Sequence, residues 1–335
     1  MNIPAADQSF DALPSSLQQT IQGLFPKSDI QLSQVLAEGL SGAAVYKILI
    51  DAVPYLLKIV SPGADLHFDA QYLASESGIA PKLIYKNKET GVSLSQWIEA
   101  TAFPAAGAGQ DALFAQLAGR IREIHSIKTE GPSVNIFDKV DELLKWFSTS
   151  SISEWPVVAA CLDKYAKIKD VFPSENDDLV FCHNDLNPGN ILCESGRIWI
   201  IDWQAACLGN RYVDLASICN FFIHTQAQQR VFLDLYFDGP FAETNLSKLY
   251  LMCQVSRLLY ALLMFKLASQ QRAADYQHDA NMEGVTMGLF GMKVSKGEIS
   301  LSEYNGQFLF GKALINQVFE QTAAKRFDAA VKELS

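Results

Sequence analysis

The sequence predicts an α+β architecture in two lobes, with a strand-rich first part and a helix-rich second part. Three observations predict it. Short β-type runs at 31–37, 45–50, 55–60, 83–85 and 92–98 surround one helical stretch at 65–77. From residue 112 onward, apolar residues recur at helical spacing, beginning with Leu113, Leu117, Ile121 and Ile124. A hairpin pattern near 190–201 interrupts that helical part. Strands grouped before helices are the mark of an α+β chain.

Each element has a local cause. Pro14-Ser15-Ser16-Leu17 opens a short helix in which Ser15 and Gln18 fit a capping box. Leu17, Ile21 and Leu24 share one face, and Pro26 ends it. Between the first two strands lies a small-residue loop containing Gly39, Ser41 and Gly42. Such a loop can lay backbone N–H groups over phosphates, and it also fits an ordinary hairpin, because the full Gly-x-Gly-x2-Gly pattern is absent. Lys58 stands in the third strand between Leu57 and Ile59. Helical spacing brings Asp65, Asp69 and Glu76 near one face of the following helix. Gln96-Trp97-Ile98-Glu99 closes the strand-rich part, and Ala105 to Gly109 reads as a short crossover. His125 follows the helix at 112–124, and further helices are expected at 138–147 and 156–168. The polar turn at 175–178 leads into a strand. A long apolar helix is expected over 245–271. Gln254, Ser256 and Arg257 interrupt its stretch from Leu249 to Phe265, which reads as a buried helix and not as a membrane span.

The chemistry concentrates in one stretch. His183-Asn184-Asp185 is followed by Asn190 at the Asp-x4-Asn spacing of a kinase catalytic loop. Ile191-Leu192-Cys193 and Ile198 to Ile201 flank the turn cluster Glu194-Ser195-Gly196. A turn centred near Ser195 or Gly196 brings Asn190 close to Asp202. Carboxylate and amide oxygens suit a hard cation such as Mg2+. Asp and Asn are also ordinary turn formers, so each residue taken alone carries little.

His183-Asn184-Asp185-Leu186-Asn187-Pro188-Gly189-Asn190 together with Ile201-Asp202-Trp203 resembles the motif pair of the aminoglycoside phosphotransferase and choline/ethanolamine kinase superfamily. Cys182-His183-Asn184-Asp185 with Gly189-Asn190-Ile191-Leu192 is more similar to the choline/ethanolamine branch. The resemblance spans roughly Val35 to Phe265 and implies a protein-kinase-like fold. It divides the chain into an accessory helix (1–30), a nucleotide-binding lobe (31–100) and a helical lobe with catalytic loop and acceptor pocket (101–335).

The resemblance also implies roles. Lys58 would hold ATP phosphates with Asp69 as its acidic partner, and Gly39, Ser41 and Gly42 would cover them. Trp97 and Ile98 fall where a hinge presents backbone groups to adenine. Asn190 and Asp202 would hold Mg2+, and Asp185 would align the acceptor hydroxyl. His183, His125 and Asp214 would brace the loop, with Asp214 also capping the next helix. Trp203, Gln204, Tyr212 and Tyr260 are the acceptor-pocket candidates. The chain departs from the pattern at Gln204, which replaces a glutamate. It departs again at Asn220-Phe221, where the choline pattern has a glutamate, and at Tyr260 and Leu263 in place of two tryptophans.

Composition sets outer limits. The 335 residues are 49% hydrophobic and 19% charged, which predicts a sizeable core. The net charge of −10 argues against non-specific nucleic-acid binding and is compatible with a cationic substrate. The 6 cysteines lack Cys-x2-Cys spacing, so no zinc site is expected, and a reducing cytoplasm fits them best. The expected activity is ATP- and Mg2+-dependent phosphorylation of a small amino alcohol such as choline or ethanolamine, by a monomer or homodimer. Thiamine, an aminoglycoside or another small metabolite is the alternative acceptor. A nucleotide-binding scaffold without catalysis is the alternative class. A protein kinase is disfavoured, because His-Arg-Asp and Ala-Pro-Glu signatures are missing.

Overall fold

The computed structural model describes residues 10–36, 43–60, 66–101, 110–173, 178–273 and 275–335. The chain forms two compact units, residues 1–110 with 188–206 and residues 111–187 with 207–335. The hairpin near 190–201, grouped by sequence with the helical lobe, therefore belongs to the unit that holds the strands.

The first unit is built on a five-stranded antiparallel sheet. Helix α1 (Ser15–Leu24) precedes β1 (Ile30–Leu36), β2 (Ala44–Ile50) and β3 (Val53–Ile59). Helix α2 (Leu66–Glu76), β4 (Leu83–Asn87) and β5 (Val92–Gln96) follow. The strand order is β1-β2-β3-β5-β4. Side chains alternate between faces along each strand. Tyr46 and Ile48 of β2, Leu57 of β3, and Val92 and Leu94 of β5 join one apolar cluster with Leu13, Leu17 and Ile21. The amphipathic α1 thus seals one face of the sheet, and each large side chain buried there stabilises it by about 1.5–3 kcal/mol. The capping box expected at Ser15 and Gln18 does not form. The helix starts one residue earlier than that box requires, with Pro14 as its N-cap. Gln18 Nε2 instead donates to the carbonyls of Leu13 and Asp11 at 2.7 and 2.9 Å.

The opposite face carries the row Val45, Lys58 and Ser93, which are register partners across β2, β3 and β5. Leu56 and Ser95 pair two residues further along. Helix α3 (Gln110–Ser126), α4 (Ile136–Phe147), α5 (Pro156–Val171) and β6 (Leu179–Cys182) come next in the chain. They precede the hairpin of β7 (Ile191–Glu194) and β8 (Arg197–Ile200). Ser195 and Gly196 turn it with φ of 50° and 80°, the left-handed pair that a two-residue hairpin demands. Ile200 N donates to Ile79 O at 3.1 Å and Thr101 N to Cys193 O at 2.6 Å, which ties the hairpin to the first unit.

In the second unit, β6 pairs antiparallel with β9 (Cys207–Asn210), a strand absent from the sequence reading. Helices α6 (Tyr212–Phe222), α7 (Gln226–Phe237), α8 (Glu243–Gln270), α9 (Met287–Ser295), α10 (Tyr304–Ala323) and α11 (Lys325–Leu334) complete it. Helix α8 packs against α4, α5, α6, α10 and α11, so it is apolar on every side. Among the described residues it is the one helix long and apolar enough to cross a membrane, yet most of it is buried inside this unit.

If α1 is part of the sheet core, Ile21→Ala should lower unfolding free energy by about 2–5 kcal/mol. The exposed Gln19→Ala should change it by less than about 0.5 kcal/mol. Urea denaturation of the two variants checks this.

Candidate active site

Lys58 reaches the cavity face because its neighbours Leu57 and Ile59 occupy the other face of β3. Its Nζ lies 2.8 Å from Asp202 Oδ1, across 144 residues of sequence. The pair is partly screened from solvent, with side chains 19% and 32% exposed. Both line a cavity of about 230 Å3 with Asn190, Ser93, Ser95, Gln71, Trp203 and Gln204 among its walls. The hairpin closes as its pattern predicts: Ile201 N donates to Asn190 O at 3.0 Å, which sets Asn190 beside the residue preceding Asp202. Asp202 itself has φ of 61°, a left-handed conformation that costs a non-glycine residue energy and that Asp tolerates better than most. Trp203 is buried behind it and donates from Nε1 to Ile200 O at 3.0 Å.

The second constellation belongs to the second unit. Asp185 Oδ1 accepts from Tyr260 Oη at 2.6 Å and from Asn187 Nδ2 at 3.0 Å. Tyr260 packs edge-to-face on Phe221, 6.3 Å between ring centres. Burial, reinforced by the Asp185 charge and its hydrogen bond, holds the Tyr260 phenol well above its usual range. Tyr260 is therefore a proton donor to Asp185 throughout the neutral range.

Below that pair sits Asp214, fully buried in the first turn of α6. Its Oδ2 accepts from His183 N at 2.8 Å and its Oδ1 from Asn184 N at 2.7 Å. His125 Nε2 lies 3.2 Å from Oδ2, and its Nδ1 lies 2.7 Å from Tyr236 Oη. His183 is also buried, and its Nδ1 accepts from Asp185 N at 3.3 Å. Burial pushes the Asp214 carboxyl up. The His125 hydrogen bond, the electrostatics of both imidazoles and the His183 amide outweigh it and hold the group below the usual carboxylate range.

Three expectations need correction. Asp69 does not pair with Lys58. It lies 3.2 Å from Lys86 of β4 and 2.7 Å from Lys88 just beyond that strand, and the Lys88 hydrogen bond leads in lowering its carboxyl pKa. Tyr212 is no pocket residue. It is completely buried, and its hydroxyl accepts from Asn245 Nδ2 at 2.6 Å. Asp214 does not cap α6. Arg211 is the N-cap residue, and Asn210 Oδ1 takes the Tyr212 amide at 3.0 Å.

Gly39, Ser41 and Gly42 lie outside the described residues. Trp97 and Ile98 follow β5; Ile98 is buried, while Trp97 Nε1 donates to Glu99 Oε2 at 2.8 Å beneath the Lys47 ammonium. The sequence reading passed over Ser93 and Ser95, although the alternation Val92-Ser93-Leu94-Ser95 carries the signal for a polar cavity face. Asn187 lies within the quoted motif, but its contact with Asp185 is not visible there, and no local pattern marks Tyr236.

The family profile described as "Phosphotransferase enzyme family" (APH) matches residues 34–248, well over half of the chain. The chain belongs to this phosphotransferase family. Among curated proteins, a "Protein LicA homolog" of Mycoplasma capricolum is 25% identical over 134 residues, 40% of this chain and 54% of that protein. "Ethanolamine kinase 2" of Mus musculus is 28% identical over 156 residues, 42% of this chain and 40% of that protein. The matches thus span about half the length of these relatives. A choline/ethanolamine kinase family protein from Mesorhizobium loti superimposes with a TM-score of 0.66 at 16% identity, covering 95% of this chain and 99% of that one. A spectinomycin phosphotransferase in complex with ADP and spectinomycin superimposes with a TM-score of 0.59 at 17% identity, covering 88% and 98%. These likenesses establish the kinase-like fold.

A depressed carboxylate stabilises the fold above its unfolded pKa, near 3.8 for Asp214, and that contribution disappears as pH falls through the lower folded value. Asp214→Asn should therefore cost about 3 kcal/mol at neutral pH. The difference from the parent should hold down to about pH 5 and shrink below about pH 4. Denaturant titrations across that range measure it.

Proposed function

We propose that this chain is an ATP- and Mg2+-dependent phosphotransferase whose acceptor is the hydroxyl of a small amino alcohol, with choline and ethanolamine the leading candidates. The observation that carries the reading is the convergence of Lys58, Asn190 and Asp202 on one cavity wall. It combines one fixed cation with an amide and a carboxylate ligand. That donor set is all nitrogen cation and hard oxygen, which fits a magnesium–phosphate complex and fits a soft metal poorly.

Asn190 and Asp202 would hold the Mg2+, which when bound neutralises charge on the phosphates. Lys58 would move from its Asp202 contact toward phosphate oxygens. Asp185 would accept a hydrogen bond from the acceptor hydroxyl, orient it for attack on the γ-phosphorus, and take its proton as the new O–P bond forms and the bond to the bridging oxygen breaks, releasing ADP. Tyr260 and Asn187 would keep the carboxylate fixed through Oδ1 while this happens. Phosphoryl transfer gains most from such positioning and charge neutralisation, and no covalent intermediate is needed.

The acceptor class draws support from relatives whose own names are ethanolamine kinase and choline kinase, the latter a LicA structure from Streptococcus pneumoniae with a TM-score of 0.57 at 18% identity. Free thiols at all six cysteines accord with a reducing cytoplasm.

Release of ADP should be stimulated by one member of a panel of choline, ethanolamine, other amino alcohols, thiamine and aminoglycosides. Asp185→Asn should abolish that stimulation while Mg-ATP still raises the melting temperature. Retained turnover in Asp185→Asn would remove Asp185 from the chemistry. Thermal stabilisation by Mg-ATP without any acceptor-dependent ADP release would favour a scaffold. Tyr260→Phe should lower kcat about tenfold, the worth of one hydrogen bond to a charged group, with the KM for ATP nearly unchanged.

A further inference from the structure

Two serines stand on the cavity face of β5, where a buried strand ordinarily carries branched or aromatic side chains. Ser93 lies opposite Lys58 and Ser95 opposite Leu56 in register with β3, while Leu94 between them joins the apolar cluster on the α1 side. Each serine is only 4% exposed. Neither hydroxyl has a hydrogen-bond partner among the described residues, and neither is sealed in: both open on the cavity. A buried hydroxyl is costly unless something satisfies it. Two of them on the face that carries Lys58 mark a wall kept small and polar for a group that enters.

The rest of the wall locates the free space. Lys58, Asn190 and Asp202 gather the charge and the hard oxygens, so in the nucleotide reading the phosphates belong at that end. Leu56 and Ser95 lie one strand repeat further along β3 and β5, toward Trp97. An apolar side chain beside a hydroxyl suits the face and the polar edge of a purine. The wall continues with Ala80 and Pro81, which lead into β4, and with Gln71 of α2. Alanine and proline are short, and the Gln71 carboxamide can donate or accept. A bulky residue at 93 or 95 would cut this recess off from the cavity, and serine leaves the two joined.

We infer that Ser93 and Ser95 open an accessory subsite beside the purine, which takes a small polar substituent on the 6-amino group of an adenine nucleotide. This rests on the nucleotide reading of the cavity proposed above. The two hydroxyls and the Gln71 amide meet the polar tip of the substituent. The probe is N6-(2-hydroxyethyl)-ADP with ADP as reference, each titrated with Mg2+ into the full chain by calorimetry. A pocket without the space rejects even one extra methylene by about 10–200-fold, whereas this chain should bind the two nucleotides less than about tenfold apart. Ser95→Leu fills the recess and should weaken the substituted nucleotide about tenfold relative to ADP. Ser95→Ala keeps the space and removes one hydroxyl, so the same ratio should shift by about two- to fivefold. The ratio isolates the substituent, because effects on the shared nucleotide cancel. Melting curves of both variants confirm that they fold. A parent that discriminates against the substituted nucleotide by more than about tenfold, or a Ser95→Leu variant with the parent's ratio, would overturn the inference. A parent that binds neither nucleotide would remove the nucleotide reading itself, and the subsite with it.

Discussion

Asp214 carries a charge with no exposure to solvent, and such a group is tolerable only while every donor around it stays in place. The donors come from two parts of the chain. Two are successive backbone amides of the loop that carries Asp185, and one is the imidazole of His125 on α3, itself held by Tyr236 of α7. The carboxylate also sits in the first turn of α6, where the helix dipole favours negative charge. One side chain thus fixes the loop against three helices. Asn184 takes φ of 65° at this point, and the Asp214 carboxylate holds its amide and the one before it, which helps that conformation persist. The position of Asp185 is a consequence of this arrangement.

The first unit solves a different problem. In the proposed reading, a lysine ammonium must be kept beside a carboxylate and still be free to meet phosphate. Strand alternation does this with little machinery. Leu57 and Ile59 anchor β3 on the α1 side, and Lys58 projects to the other. Its cross-strand neighbour Ser93 is small, which leaves room for a cavity where a larger residue would fill it. The hairpin then delivers Asn190 and Asp202 to the same wall, because a two-residue turn pairs its ends in strict register. A solved structure at 16% identity shares the fold, and the phosphotransferase chemistry proposed for this chain rests on these few positions.

Local features were the legible ones. The hairpin, the Asp-x4-Asn spacing and the buried nature of α8 follow from short-range patterns, and the structure reproduces them. What depended on long-range pairing was not legible. Nothing near Lys58 announces Asp202, 144 residues away. Helix position makes Asp69 a candidate partner, but two lysines at β4 and just beyond it, farther from it along the chain than Lys58, hold its carboxylate instead. Tyr212 looked like a pocket aromatic, and periodicity cannot separate a pocket wall from a core once the helix is apolar all round. The strand at Cys207–Asn210 was missed because four residues with an internal glycine leave no alternation to read. The Tyr260 hydroxyl contact with Asp185 joins α8 to a loop 75 residues earlier, and only the folded chain shows it.

The central claim is that a phosphoryl group passes from ATP to an acceptor hydroxyl. Phosphorus NMR of the purified protein with Mg-ATP and ethanolamine or choline follows that group directly. The account predicts loss of the γ-phosphate resonance and growth of a phosphomonoester signal carrying the acceptor's carbon coupling. Appearance of inorganic phosphate alone, with every acceptor in the panel, would contradict it.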